Sequence, residues 1–136
     1  MKIVFPSKVD IALPLLFIIT SIPGVVIGIR NQDWLVLPII ITVFILIIYL
    51  LYDTNYIITK GNLKVHSGFL VNKNILIENI NTIKKTDSIL SAPASSLSER
   101  IEVFYENSKS IIISPKDRQT FIDELLKQNS EIKIDF

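Results

Sequence analysis

The pattern of apolar and polar positions divides the chain near residue 52. Residues 11–29 and residues 34–52 are two runs of 19 residues, and neither run contains a charged side chain. A helix of about 20 apolar residues crosses a hydrocarbon core of about 30 Å, so both runs are long enough. Both are apolar on every face, which is not typical of a helix in water. The pattern therefore predicts two transmembrane helices, at about 11–29 and 34–52.

The link between the two runs contains only residues 30–33. So short a link predicts an antiparallel helical hairpin within residues 1–52, with both chain termini on one side of the membrane. Four lysines flank that side, namely Lys2, Lys8, Lys60 and Lys64. The link contributes only Arg30, so the positive-inside rule predicts that the termini are cytoplasmic. We therefore expect a multi-pass protein of the cell membrane.

Two features of the first run refine this prediction. A basic start also fits a cleavable signal peptide, but no small-x-small cleavage site precedes the second apolar run, so the membrane helix is favoured. Gly24 and Gly28 have the GxxxG spacing that lets helices approach closely. We expect both glycines to face the second helix.

After residue 53 the charges return, and short β-like runs alternate with turn residues. Tyr56–Thr59 and Leu63–His66 lie on either side of a Lys-Gly-Asn turn, which predicts a hairpin. The further runs predicted to form strands are 69–71, 74–77, 80–83, 100–105 and 110–114. Residues 87–98 are rich in serine and alanine and are predicted to form a loop.

The last segment predicts a helix followed by an edge strand. Ser114 is the predicted helix cap, with Pro115 in the first helical position and Asp117 in the first turn. The apolar stripe consists of Phe121, Ile122, Leu125 and Leu126, and the helix is expected to end near Gln128. Apolar residues then alternate at 132, 134 and 136. The expected fold is α+β: a membrane hairpin, and over residues 53–136 six or seven antiparallel strands packed by one helix.

The composition argues against several kinds of chemistry. The chain has no cysteine, which excludes a thiol nucleophile or a thiolate metal site. Its one histidine, His66, lies in a predicted strand without a metal-ligand partner, so we interpret it as a surface or half-buried strand residue. From residue 53 onward, 11 Lys and Arg balance 11 Asp and Glu, which argues against a nucleic-acid surface. We expect no enzyme activity, cofactor or metal, and a binding or scaffolding role instead.

The serine-rich loop is the predicted place for a partner contact, because loops on rigid scaffolds often carry binding. The candidate residues are Ser91, Pro93, Ser95 and Ser96. The alternative, which we favour for these residues, is that the loop only connects two strands.

Three strings in this half resemble small bacterial pleckstrin-homology-like (PH-like) domains of the YyaB-like type. They are Tyr56-Ile-Ile-Thr with Leu63-Lys-Val-His-Ser-Gly-Phe-Leu, the loop Ser88 to Leu97, and Ile113-Ser-Pro-Lys-Asp before the helix. The resemblance covers about residues 53–128. It implies a strongly bent antiparallel sheet or partial barrel closed by the C-terminal helix, and it supplies no catalytic residue.

The resemblance extends to membrane-anchored bacteriocin immunity proteins of Gram-positive, prophage origin. It implies that the chain confers antimicrobial resistance by protecting its producer cell from a sublancin-like bacteriocin. The expected partners are the lipid bilayer and the bacteriocin or its membrane target. The alternative is a general membrane-tethered PH-like module that binds lipid or assembles proteins.

Overall fold

A computed structural model describes residues 1–87 and 99–136 of the chain. It contains two N-terminal helices, α1 (Ala12–Arg30) and α2 (Val36–Tyr52). The second helix begins two residues later than predicted, because the link forms a turn. Gln32 in this turn has φ of 56°, and the Asp33 side chain accepts a hydrogen bond from the backbone N–H of Leu35 at 3.3 Å.

The two helices contact each other along a glycine-bearing face of α1. A Cβ atom at Gly28 would lie 2.9 Å from the Cβ of Val36, and one at Gly24 would lie 3.8 Å from Ile40 Cδ1. The rings of Phe17 and Phe44 stack with their centroids 5.7 Å apart. Both glycines therefore face the second helix, as the GxxxG spacing predicts.

The remaining surface of the helices is exposed and apolar. Gly28 is the only buried residue of α1, and α2 has none. The 19 residues of α1 make it long and apolar enough to cross a membrane, whereas the more apolar α2 has 17 residues.

Within the described residues, residues 3–6 and the polar half of the chain together form two four-stranded sheets and a helix. The first sheet has the order β1 (Ile3–Pro6), β2 (Thr54–Thr59), β3 (Asn62–Ser67) and β4 (Val71–Leu76), with all pairs antiparallel. The second has the order β7 (Lys109–Ile113), β6 (Arg100–Tyr105), β5 (Ile80–Thr86) and β8 (Lys133–Asp135). Its β5–β8 pair is parallel, which departs from the purely antiparallel expectation. The helix α3 spans Arg118–Gln128.

The two sheets are joined on both sides. A 3₁₀ turn over Ile77–Asn79 leads from β4 to β5. On the other side, Ser7 forms an antiparallel bridge with Pro115, so the extension of β1 reaches the chain that follows β7. Together these connections bring the two sheets around a single core, and α3 contributes Phe121, Ile122 and Leu125 to it.

The ring of Phe121 lies near the centre of this core. It is fully buried, meets Phe5 edge-to-face at a centroid distance of 5.3 Å, and lies 6.1 Å from the ring of Tyr56. Residues from β1, β2 and α3 therefore meet at one point. The helix stripe predicted from the sequence is the face that α3 buries here.

Three local predictions were wrong. Residues 3–6 form β1, although no strand was predicted there, and they pair with β2 along the whole of β1. Phe69 and Leu70 form the tip of a hairpin, and the strand begins only at Val71. The cap of α3 is Asp117, whose carboxylate accepts the Thr120 N–H at 3.1 Å, because the predicted cap Ser114 is engaged in a buried network.

Candidate functional site

The helices join the β domain through two short connections. Residues 7–11 connect β1 to α1, and Asp53 alone connects α2 to β2. Both are held by the backbone: the Ser7 N–H donates to the Thr54 carbonyl at 3.0 Å, and the Asp53 N–H donates to the Tyr49 carbonyl at 2.9 Å. The domain therefore starts immediately where the apolar helices end, without a flexible linker.

A buried network of hydroxyl groups lies beneath this junction. The Tyr56 hydroxyl donates to Ser7 Oγ and accepts from the Ser114 N–H, both at 3.1 Å. Ser7 Oγ also lies 3.0 Å from Ser114 Oγ. Burial raises the pKa of Tyr56, an effect that the hydrogen bonds from Ser114 and with Ser7 partly offset. The neutral side chain of Tyr56 therefore connects β2, by hydrogen bonds, to Ser7 in the segment before α1 and to Ser114 directly after β7.

A second set of polar contacts fixes the end of α2. Thr54 Oγ1 donates to the Leu50 carbonyl at 2.8 Å and lies 2.9 Å from Ser67 Oγ. His66 Nε2 lies 3.3 Å from Asp53 Oδ2. His66 is a half-buried residue of β3, as predicted. The last turn of α2 is thus tied to the β2–β3 hairpin through side chains as well as backbone.

An open cleft of about 680 Å³ lies at the junction. Its described lining consists of Pro6, Ser7, Lys8, Val9, Tyr52, Glu99 and Lys116. Lys8 and Glu99 form an ion pair at 3.2 Å. Lys116 is exposed, and within residues 1–87 and 99–136 no carboxylate lies within ion-pair distance of its ammonium group. The cleft therefore presents two cations and one anion, next to an aromatic residue at the end of α2.

The backbone of the cleft holds these charges in place. The N–H of Lys8 donates to the Ser114 carbonyl at 2.7 Å, and the N–H of Lys116 donates to the Pro6 carbonyl at 2.9 Å. These two bonds flank the Ser7–Pro115 bridge, so the lysines belong to paired segments. Such an arrangement can bind an anionic group by charge, and its described lining contains no arrangement recognisable as catalytic machinery.

The four predicted contact residues, Ser91, Pro93, Ser95 and Ser96, lie outside the described residues. The cleft residues were missed as a site, because Lys8 and Lys116 are 108 positions apart and are brought together by the Ser7–Pro115 bridge. A partial signal was present in the sequence. Lys8 is one of the lysines that flank the first apolar run, and Lys116 lies two residues before the first residue of α3.

The fold and the junction together define a PH-like domain attached to apolar helices. A family profile described as "Bacterial PH domain" matches residues 54–129. The chain belongs to this bacterial PH domain family. No curated protein and no solved structure gives a significant match to the chain.

Proposed function

We propose that this chain is a membrane-anchored protein that acts by binding, with its PH domain held directly on the bilayer surface. The observation that carries the proposal is the junction. Apolar helices with almost no buried side chains run into the domain through residues 7–11 and Asp53 alone. Exposed apolar helices need lipid around them, and the short connections keep one end of the domain at the headgroups.

The proposed topology is a hairpin in which α1 and α2 both cross the cell membrane. The α1 helix has the length of a span, and the 17 residues of α2 lie at the lower end of the usual range for one. The lysines at the junction end and the single Arg30 in the link favour a cytoplasmic domain and cytoplasmic termini.

The absence of cysteine from the chain allows a direct test of this topology. Single cysteines would be placed in the link (Asn31→Cys) and in the exposed β6–β7 turn (Ser108→Cys), and intact cells treated with a membrane-impermeant maleimide. We expect labelling at position 31 only, with position 108 labelled after permeabilisation. Labelling of position 108 in intact cells would contradict a cytoplasmic domain, and labelling of both would contradict the hairpin.

The binding role is supported by the cleft at the junction. Lys8 and Lys116 offer positive charge at the level of the headgroups, where lipid phosphates and the acidic residues of membrane proteins are found. Tyr52 adds an aromatic ring of the kind that favours the interface. A partner that acts at the membrane would meet this surface first.

The specific role that we propose is immunity to a sublancin-like bacteriocin. The sequence resemblance to membrane-anchored immunity proteins supports it, and so does the proposed membrane location, because a bacteriocin or its target acts there. A domain on the cytoplasmic side would shield or alter a membrane target rather than capture a peptide arriving from outside. The broader alternative is a PH-domain scaffold that gathers proteins or lipids at the membrane.

A protection assay separates these two roles. The full chain would be expressed in a sublancin-sensitive Gram-positive strain, and inhibitory concentrations compared with those of an empty-vector control. Immunity predicts a large, bacteriocin-selective rise in tolerance. The charge-neutral variant K8Q/K116Q, which keeps the backbone pairing, then asks whether the cleft takes part. Unchanged sensitivity, with membrane insertion verified, would exclude immunity to sublancin and leave the scaffold role.

A further inference from the structure

The turn between β3 and β4 carries two exposed apolar side chains side by side. Phe69 is 69% exposed and Leu70 is 58% exposed. The Leu70 N–H donates to the Ser67 carbonyl at 3.1 Å, which closes the turn, and Gly68 has φ of 50°. Two adjacent large apolar residues that stay in water at a hairpin tip contribute no stabilisation from burial. Single exposed apolar residues, in contrast, are common on protein surfaces.

This turn packs against the last turns of α2. A Cβ atom at Gly68 would collide with the side chain of Leu50 and lie 3.6 Å from the ring of Tyr49. The Gly68 N–H also donates to the Asp53 carbonyl at 3.1 Å. Glycine is favoured here by the positive φ and by the close approach of Leu50. The tip is therefore held beside the helix rather than projecting away from it.

The contact with Leu50 sets the depth of the tip relative to the proposed membrane. Leu50 precedes the end of α2 by two residues, which is about 3 Å along the helix axis. Tyr49 and Tyr52 are 50% and 70% exposed around this level. Tyrosine favours the boundary between hydrocarbon and headgroups, so the tip lies at that boundary if α2 crosses the membrane.

We propose that Phe69 and Leu70 insert into the same leaflet in which α2 ends, and so form a third membrane contact of the protein. The inference rests on the proposed membrane anchoring. The occupant of this surface is lipid rather than a protein partner, because the tip continues the exposed apolar surface of α2. A protein covering it would have to displace lipid from the end of that helix. The consequence is a fixed tilt, in which the β3–β4 side of the PH domain lies against the bilayer.

The single tryptophan of the chain makes the insertion measurable. We would replace Trp34 by phenylalanine and introduce a fluorescent reporter as Phe69→Trp, in the full chain reconstituted into phosphatidylglycerol–phosphatidylcholine vesicles. The matched control is Leu76→Trp in the same background. Leu76 is also exposed, at 45%, but lies five residues along β4 from its start at Val71, about 16 Å away in an extended strand.

For the reporter at position 69 we expect emission shifted to the blue and strong quenching by lipids brominated near the headgroup. Iodide should quench it several-fold more weakly than the reporter at position 76. The variant W34F/L70W should behave like W34F/F69W, which guards against a misfolded reporter. Iodide access at positions 69 and 70 equal to that at position 76 would overturn the inference.

The anchor has separate readouts, which are the fluorescence of Trp34 in the wild-type chain and the resistance of the protein to carbonate extraction. Trp34 emission typical of an aqueous environment, together with release of the protein by carbonate, would overturn both the anchoring and the inference. An inserted anchor with a water-exposed reporter at position 69 would overturn the inference alone.

Discussion

The helical hairpin and the PH domain use apolar residues in opposite ways. The domain buries them around Phe121 and Tyr56, and its helix and both its sheets contribute to one core. The two helices leave nearly all of theirs exposed and touch each other mainly along the Gly24–Gly28 face. The domain thus carries its own solvent-excluding interior, whereas the two helices leave most of their apolar surface uncovered. One chain therefore contains two regions that use apolar side chains differently, and under the proposed membrane anchoring the hairpin would be stabilised by lipid.

The junction shows how such regions can be joined without a linker. Hydroxyl groups of Ser7, Tyr56 and Ser114 satisfy one another in the buried space where the lead into α1 meets the domain. Short polar side chains suit this place because every buried donor needs a partner. The two regions are coupled in position although their cores are separate.

The largest expected effect is a loss of stability in the PH domain that a substitution in the helical hairpin does not cause. Phe121→Ala removes a fully buried ring at the centre of the domain core, and we expect it to lower the free energy of unfolding of the domain by about 3–5 kcal/mol. Urea titration of the full chain in mild detergent, followed by far-UV circular dichroism, would measure it. The control Ile19→Ala, at a helix position that is 60% exposed, should leave the urea midpoint of this transition unchanged. Equal losses in the two variants would mean that the regions do not fold independently.

The next effect belongs to the hairpin. Gly28→Ala places a Cβ 2.9 Å from the Cβ of Val36, so the helices must move apart, at a cost of about 1–3 kcal/mol typical of overpacking. An SDS titration in mixed micelles, followed by the fluorescence of Trp34, would report it. Gly24→Ala is the matched control, because its Cβ meets Ile40 at an ordinary contact distance. A Gly28→Ala variant as stable as Gly24→Ala and the wild-type chain would mean that the close contact of Gly28 with Val36 is not part of the helix interface.

A third change tests the coupling between the regions. Tyr56→Phe keeps the ring but removes the hydroxyl that accepts the Ser114 N–H and donates to Ser7. We expect a loss of about 1–3 kcal/mol in the domain, since a buried hydrogen bond is broken on one side only. Faster amide exchange at Ser7 and Lys8 should accompany it. Tyr105→Phe, another buried tyrosine outside this network, should not change exchange at these two positions.

The smallest effect concerns the cap of α3 and its dependence on pH. Hydrogen bonds from the Thr120 hydroxyl and N–H lower the pKa of Asp117 below its ordinary value of 3.8. A lowered pKa means that the contribution of Asp117 to stability is present above about pH 4 and is lost as the pH falls through the lower, folded-state value. The melting temperature of the wild-type protein should fall between about pH 5 and pH 2, in part because Asp117 becomes protonated. The variant Asp117→Asn lacks this contribution, so its melting temperature should fall less over the same range. An equal fall in the two proteins would contradict the assignment.

Much of the fold could be predicted because the signals are local. The hairpin β2–β3, strand β6 and the buried face of α3 were recognised from the alternation or spacing of neighbouring residues. The strand β1 was not recognised, since Ile3–Pro6 is short and contains a proline. It is stabilised by contacts with segments beyond both helices, which are the pairing with β2 and the packing of Phe5 on Phe121. Proline is compatible with β1 because β1 is the edge strand of its sheet.

The candidate site could not be predicted for the same reason. The cleft depends on the Ser7–Pro115 bridge, which brings Lys8 and Lys116 together. The spacing of neighbouring residues cannot predict a contact between segments 108 positions apart. The predicted cap shows the opposite failure. Ser114 and Pro115 have the residue types of a helix start, but the tertiary contacts of Ser114 hold the chain extended there, and the helix begins after Asp117.

By itself, the sequence determined that the chain has an apolar hairpin followed by a small α+β domain. It did so because helix length, strand alternation and the charge balance are properties of consecutive residues. Only the tertiary structure decided that the N-terminal strand belongs to the domain's sheet, that two distant lysines share a cleft, and that Phe69 and Leu70 lie beside the end of α2. Each of these depends on contacts between separate segments of the chain, whose geometry is fixed when the core closes around Phe121.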